Sequence, residues 1–88
     1  MTPESFQSWL ISKGYSLGAF SSGHLGRQDA WTKTFDPKAL CSRTVRYFMQ
    51  GTQVRKESSI GFSSFVVEWT APYASLSLTP EGKLIRAK

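Results

Sequence analysis

The sequence contains a single cysteine, Cys41, and a single histidine, His24. One thiol cannot form an intramolecular disulfide, which excludes the disulfide-stapled class of small extracellular proteins. His24 has no second histidine and no local cysteine or carboxylate at ligand spacing, so we expect neither a metal site nor a cofactor. A catalytic pair of Cys41 and His24 would need a tertiary contact. We instead expect Cys41 to be a small buried residue and His24 a solvated loop residue.

Long apolar runs and nucleotide-binding motifs are missing as well. No apolar run approaches the roughly 18 residues that cross a bilayer, and the N-terminus lacks the basic region of a signal peptide. The glycines match neither the phosphate-binding Gly-x-x-x-x-Gly-Lys-Ser/Thr loop nor the Gly-x-Gly-x-x-Gly fingerprint. The acidic residues form no convincing acid–base set. We therefore expect a cytoplasmic protein that is not an enzyme and does not bind a membrane.

Acidic residues are few. The 88-residue chain has 11 Lys and Arg against 6 Asp and Glu, for a net charge of +5. This balance favours an acidic protein surface or a nucleic acid as the partner. The basic residues are spread along the chain without a block, so no basic tail is present. Three Trp, three Tyr and six Phe supply enough apolar surface for one small domain over residues 1–88.

The N-terminal segment carries the clearest local signals. Thr2 matches a helix N-cap, Pro3 matches the first helical position, and Gly14 ends the pattern. An apolar stripe follows at helical spacing and predicts an amphipathic helix. The stripe consists of Phe6, Trp9 and Leu10, with Ile11 alongside.

After Gly14, short segments rich in β-branched and aromatic residues alternate with turn residues, as is typical of an antiparallel sheet. We predict strands over residues 15–20, 30–35, 43–50, 65–70 and 83–86, and a further strand from Tyr73 onward. Polar loops are predicted over residues 21–29 and 58–64, and Ile60 and Phe62 in the second loop are either tucked under the sheet or exposed. Residues 36–40 fit either a single helical turn or a plain turn.

The segment over residues 43–50 ends in Gly51-Thr52, the glycine-first pair of a type II′ hairpin turn. Counting outward from this turn predicts the cross-strand partners. The predicted pairs are Met49 with Val54, Phe48 with Arg55, Tyr47 with Lys56, and Arg46 with Glu57. One face of the hairpin is then apolar and consists of Val45, Tyr47, Met49 and Val54. The other face presents Arg46, Phe48, Arg55 and Glu57.

Residues 65–70 form the strongest predicted strand, in which Phe65, Val67 and Trp69 share one face. We expect Pro72 to interrupt the pairing, because proline has no amide hydrogen to donate. Residues 79–82 match a type I turn. The strand over residues 83–86 then lies at an edge and offers a weak self-association site, so we expect a monomer or a weak dimer.

These elements predict an α+β fold, in which the N-terminal amphipathic helix packs on one face of a twisted antiparallel sheet of four to six strands. Aromatic and basic residues interleave on the predicted sheet, as they do where single-stranded nucleic acids stack. The candidate binding residues are Trp31, Lys33, Arg46, Phe48, Arg55 and Lys56. The same residues also fit a structural role, with Arg46 paired to Glu57, Arg55 covering Phe48, and Trp31 in the core. A stacking platform requires at least two of Trp31, Tyr47, Phe48 and Phe62 on one open face.

A family resemblance is carried by Glu68-Trp69-Thr70-Ala71-Pro72-Tyr73-Ala74-Ser75-Leu76-Ser77-Leu78, followed by Glu81-Gly82-Lys83-Leu84. This segment resembles the C-terminal part of small uncharacterised proteins encoded by bacteriophages and prophages. The resemblance implies a phage or prophage context and contributes no catalytic residues.

The sequence thus favours a small basic, non-enzymatic binding protein that acts on a macromolecular partner. An acidic protein surface is the preferred partner, and the alternative is a nucleic-acid-binding module that uses the aromatic and basic hairpin face.

Overall fold

The structure is a computed structural model that describes residues 1–22 and 26–87. These residues form one α-helix, a five-stranded antiparallel sheet and a separate two-stranded antiparallel sheet, which confirms the predicted α+β fold. The helix α1 spans Pro3–Ser12. The five-stranded sheet contains β1 (Ser16–Ser22), β2 (Gly26–Phe35), β3 (Arg43–Gln50), β4 (Gln53–Ile60) and β5 (Val66–Pro72). The small sheet contains β6 (Leu76–Leu78) and β7 (Leu84–Arg86), and a 3-10 turn at Tyr73–Ser75 precedes it.

Helix α1 begins where the capping signals predict. The Thr2 side chain accepts a hydrogen bond from the Ser5 amide, and the Ser5 hydroxyl accepts one from the Thr2 amide, which together make a capping box. Phe6 and Leu10 are completely buried, whereas Ile11 is 58% exposed. Ile11 was expected beside the apolar stripe, but the next position after Leu10 lies about 100° further around the helix and faces solvent.

The main sheet is a meander in which each strand pairs with the next one along the chain. Its two faces differ in what covers them. The face that carries Val45 and Tyr47 packs against α1, and we call it the helix-side face. The opposite face carries Arg46 and Phe48, because successive strand residues point to opposite sides.

The hairpin between β3 and β4 confirms the four predicted cross-strand pairs, and the same register continues beyond them, from Gln50 paired with Gln53 to Arg43 paired with Ile60. Gly51 has a φ of +60°, and Thr52 is not among the described residues with positive φ. This combination fits the predicted type II′ turn. The two predicted faces of the hairpin are confirmed by the same register.

The segment over residues 21–29, predicted as a loop, is largely strand. β1 extends to Ser22, β2 begins at Gly26, and the two strands pair without interruption. Glycine and serine have low strand propensity, but pairing with a neighbouring strand overrides a weak local preference. His24 lies outside the described residues.

Strand β4 runs through Ile60, so residues 58–60 are strand and the loop predicted over residues 58–64 is shorter. Ile60 and Phe62 are exposed. The pairing of β5 also continues further than expected, because Pro72 still pairs with Gln53. Proline is tolerated there since β5 is an edge strand and the missing amide removes no bond within the sheet.

A β-bulge in β5 overturns the prediction that Phe65, Val67 and Trp69 share one face. Trp69 pairs with Lys56, but Val67 pairs with Glu57, so Glu68 is an extra residue on this strand. Lys56 and Glu57 point to opposite faces, and so do Trp69 and Val67.

The C-terminal segment folds back over the helix-side face. The Gly82 amide donates to the Thr79 carbonyl, as expected of the predicted turn. The final strand β7 pairs with β6 alone among the described strands and does not join the main sheet. Residues 36–40 adopt turns, with the Ala39 amide donating to the Asp36 carbonyl, so of the two alternatives the plain turn is found.

The core lies between α1, the C-terminal segment and the helix-side face. Its aromatic centre packs largely edge to face, for example Phe6 against Tyr47 with ring centroids 5.4 Å apart. The N-terminal ammonium donates to the carbonyl oxygens of Tyr73 and Leu76 and so ties the first residue to the C-terminal segment. The buried core residues are Phe6, Leu10, Tyr15, Val45, Tyr47, Val54, Ala71, Tyr73 and Leu76.

Candidate functional site: a basic groove with an apolar lip

Helix α1 and the β6–β7 turn cover only part of the helix-side face, and a groove of about 480 Å³ lies beside them. The C-terminal end of α1 and the β6–β7 turn form its walls, and β2, β3 and β4 contribute its floor. Five cationic side chains line it: Lys13, Lys33, Arg43, Lys56 and Lys83. Four aromatic side chains line it as well: Trp9, Tyr15, Phe35 and Tyr47. We call these nine residues the basic groove.

Lys33 occupies a position that the strand pattern assigns to an apolar residue, and its contacts explain how it is accommodated. Its ammonium donates a 2.6 Å hydrogen bond to the carbonyl oxygen of Lys13, just after the last turn of α1. A cation at this end of a helix is stabilised by the helix dipole. The ammonium also lies 5.0 Å from the ring centroid of Phe35. Lys33 therefore links the helix to the floor of the groove.

Arg43 and Lys56 share one carboxylate, that of Glu68. The closest nitrogen–oxygen distances are 3.1 Å from Arg43 and 3.7 Å from Lys56. Burial by itself would raise the pKa of Glu68. The hydrogen bond from Ser58, together with the Lys56 and Arg43 charges, outweighs that effect and lowers the pKa. The bulge in β5 brings Glu68 to this position.

The remaining cations of the basic groove are not paired in this way. Within residues 1–22 and 26–87, no carboxylate lies within salt-bridge distance of Lys13, Lys33 or Lys83. Glu81 is the one acidic residue among the described lining residues. The groove therefore carries an excess of positive charge beside a low-dielectric aromatic floor, an arrangement that attracts anionic groups.

The aromatic side chains of the floor pack closely against one another. Tyr47 is buried and contacts Trp9 and Tyr15 through edge-on ring contacts with centroid distances of 6.1 and 5.5 Å. Burial raises the pKa of Tyr15 and of Tyr47, so both hydroxyls stay protonated well above neutral pH. The groove thus offers neutral aromatic surfaces between cationic walls.

An exposed apolar surface continues from the groove. Phe35, Arg43 and Ile60 lie side by side on three adjacent strands, so the groove leads directly to Ile60. The amide of Gly61 donates to the Ser42 carbonyl, which brings together the two loops that carry Leu40 and Phe62. Both of these side chains are almost completely exposed. We call this surface the apolar lip: Phe35, Leu40, Ile60 and Phe62.

The six predicted binding residues fall on both faces of the sheet. Lys33 and Lys56 line the basic groove. Trp31 is half-buried on the same face and packs against the core. Arg46, Phe48 and Arg55 lie on the opposite face, as the register requires. The structure therefore does not bring the six together into one surface.

On the opposite face, Phe48 is 2% exposed. The Arg46 guanidinium lies 3.7 Å from the ring centroid of Phe65 and 5.0 Å from that of Phe20. The Arg55 guanidinium lies 4.3 Å from the ring centroid of Phe48. The protein's own guanidinium groups therefore cover these rings, and they are not open to a stacking base.

Glu57 holds both of these arginines in place. Its two carboxylate oxygens lie 2.6 Å from Arg46 and 2.8 Å from Arg55, and the Glu57 side chain is 10% exposed. These contacts match the structural alternative considered from the sequence, in which Arg46 pairs with Glu57 and Arg55 covers Phe48. The requirement for a stacking platform is not met either, because Tyr47 and Phe48 are buried while Phe62 lies on the apolar lip.

Cys41 is exposed, contrary to the expectation that it is buried, because it lies in the turn region between β2 and β3. A contact with His24 cannot be described, since His24 lies outside the described residues. In the part of the chain that the structure describes, no three histidine, cysteine or acidic side chains come close enough to hold a metal ion. The longest described helix, α1, lacks the length and apolar character of a membrane-spanning helix.

Sequence reasoning missed Lys13, Arg43 and Lys83 as site residues. They come from the end of α1, the start of β3 and the β6–β7 turn, and only the fold brings them together. No spacing in the linear sequence marks such a set. Comparison with protein-family models, with curated proteins and with solved structures gives no match for this chain.

Proposed function

We propose that this chain is a non-enzymatic binding protein whose basic groove and apolar lip hold an acidic segment of a partner protein. One observation supports this proposal above all. Three lysines without a carboxylate partner among the described residues surround an aromatic floor that opens directly onto exposed apolar side chains.

Protein interfaces commonly combine an apolar centre with a charged, hydrated rim. The apolar lip supplies the first component and the lysines of the groove supply the second. Exposed clusters of large apolar side chains are uncommon on monomeric proteins unless they bind something. Charge complementarity then selects an acidic partner, because the whole chain carries a net charge of +5.

The geometry favours a protein over a nucleic acid. Base stacking needs open ring faces, and the rings of Phe20, Phe48 and Phe65 are covered by Arg46 and Arg55. Tyr47 in the groove is buried by the rings around it.

The biological context belongs to the same proposal. The resemblance of the C-terminal segment to small phage and prophage proteins supports an accessory protein that acts on a phage or host macromolecule. The part of this segment from Glu81 to Leu84 lines one wall of the basic groove.

The experiment measures fluorescence anisotropy of a labelled peptide of alternating glutamate and leucine, titrated with the protein at low and moderate salt. We expect saturable binding to this peptide and none to a peptide of alternating glutamine and leucine. Lys83→Glu should weaken the binding about five- to tenfold, because it reverses one charge of the rim. The Lys83 amide donates to the Thr79 hydroxyl and the Lys83 carbonyl accepts from the Thr79 amide, so the turn does not depend on the lysine side chain and the fold should persist.

Lys38→Glu is the matched control. It makes the same change in net charge in the turn after β2, outside the basic groove, and should leave the affinity nearly unchanged. Equal losses in the two variants would show that only net charge matters and would contradict the proposed site. Tighter, steeply salt-dependent binding of oligothymidylate would favour the nucleic-acid alternative.

A further inference from the structure

Strand β1 is an edge strand without the features that usually protect one. It pairs with β2 through seven consecutive residues without a bulge, and none of the other described strands pairs with its outer edge. Its sequence, Ser-Leu-Gly-Ala-Phe-Ser-Ser, contains no proline and no charged residue. Proteins normally block such an edge with charges, prolines or bulges, because it is a template for another strand.

The other edge of the sheet is protected. Strand β5 carries a bulge at Glu68, places a charge at that point, and ends in Pro72. A second strand could not pair with it in continuous register. The two edges of this sheet therefore differ: β5 is protected against pairing with a further strand, and β1 is not.

We propose that β1 pairs antiparallel with β1 of a second copy of this chain, which joins the two sheets into one. A two-fold axis normal to the sheet keeps each face on the same side, so it must pass midway between the two copies of one β1 residue. The register that pairs all seven residues places Ala19 opposite Ala19 of the other copy, and Ala19 is exposed. None of the described residues that line the basic groove belongs to β1, so the two surfaces are separate.

The sequence of β1 fits a copy of itself in this register. Gly18 of one copy lies opposite Phe20 of the other, twice by symmetry. Within one chain, the Phe20 ring already lies 3.7 Å from where a β-carbon of Gly18 would be. An aromatic ring across from an edge glycine is a favourable cross-strand arrangement. Each copy has a charge of +5, but no charged residue lies on the shared strand, so like charges do not meet there.

Analytical ultracentrifugation over a wide concentration range tests the pairing. We expect the average mass to rise from monomer towards dimer as concentration increases. Ala19→Lys should raise the dissociation constant at least about tenfold, because it places two like charges opposite each other at the axis. Thr70→Lys also introduces a lysine at an exposed strand position, but on β5, and it should leave dimerisation unchanged. Circular dichroism establishes that both variants are folded.

A second measurement does not depend on the folding of the lysine variant. In a Cys41→Ser background, Ala19→Cys should form a disulfide-linked dimer under mild oxidation, because the axis brings the two positions to adjacent cross-strand distance. Thr70→Cys should stay monomeric. A protein that remains monomeric at all concentrations overturns the proposal. So does a dimer that Thr70→Lys disrupts and Ala19→Lys does not.

Discussion

The indole nitrogen of Trp9 donates a 2.7 Å hydrogen bond to the carbonyl oxygen of Gly82, 73 positions later in the chain. This bond joins the last turns of α1 to the β6–β7 turn, and these are the two walls of the basic groove. The shape of the groove therefore depends on a contact between segments from opposite ends of the chain.

Replacing Trp9 by phenylalanine tests this contact. We expect the free energy of unfolding to fall by about 1 to 2 kcal/mol, since the variant keeps a ring but leaves the Gly82 carbonyl without its donor. Binding of the glutamate–leucine peptide should weaken as well. Chemical denaturation and peptide titration measure the two effects. Trp31→Phe is the control on the same face, and a loss of peptide binding in that variant as large as in Trp9→Phe would argue against a specific role of the Gly82 bond.

We expect the Glu57 carboxylate to stabilise the side-chain packing on the face of the sheet opposite the helix. Glu57→Gln removes the charge that holds Arg46 and Arg55, and we expect a loss of about 2 to 4 kcal/mol in the free energy of unfolding. Urea denaturation measures it. Glu81→Gln, in an exposed turn, should change stability by less than about 0.5 kcal/mol. If Glu57→Gln were as stable as wild type, the guanidinium groups would not need this partner.

All three tyrosines have a raised pKa, chiefly because of burial. In the unfolded chain a tyrosine ionises near pH 10, so stability from the neutral hydroxyls is fully present below about pH 10. It is lost as the pH rises towards the higher folded-state values. We expect the phenolate absorbance of the native protein to lag behind that of the denatured protein.

The melting temperature should fall above pH 10 for the same reason. Tyr47→Phe removes the most strongly shifted hydroxyl and should make this fall shallower, as thermal melts at increasing pH would reveal. An unchanged slope would mean that lysine titration causes the alkaline loss instead.

Glu68 neutralises part of the basic groove, so removing its charge should strengthen the binding of acidic segments. We expect Glu68→Gln to tighten the affinity for the glutamate–leucine peptide about threefold, because Arg43 and Lys56 lose their shared carboxylate. Glu4→Gln makes the same change in net charge at the first turn of α1, on no wall of the groove, and should leave the affinity unaltered. Weaker binding by Glu68→Gln would place the ligand elsewhere.

The parts of the fold that the sequence predicts correctly are those specified by neighbouring residues. Thr2, Pro3 and Gly14 define the helix through local hydrogen bonding and backbone geometry. Gly51-Thr52 determines the β3–β4 register because a two-residue turn leaves a single way to count outward. The β1–β2 hairpin was missed because its pairing depends on the adjacent strands and not on its own glycines and serines.

The candidate site was predictable only in part. Lys33 and Lys56 stand out in the sequence because basic residues alternate with aromatic residues there, and both line the groove. Arg46 and Arg55 stand out for the same reason, but Glu57 and the phenylalanines around them turn that surface into packed structure. The bulge at Glu68 inverts the faces of β5, and a single inserted residue of this kind has no signature in the alternation pattern.

The same bulge, with Pro72 after it, bears on how many chains can join. Two copies that meet through β1 leave only their β5 strands at the outer margins of the shared sheet. In such a dimer neither margin would accept a further strand in continuous register, so growth would stop at two chains and would not proceed to a fibre. The bulge at Glu68 in β5 would then allow the protein to retain β1 as an unprotected edge strand without polymerising.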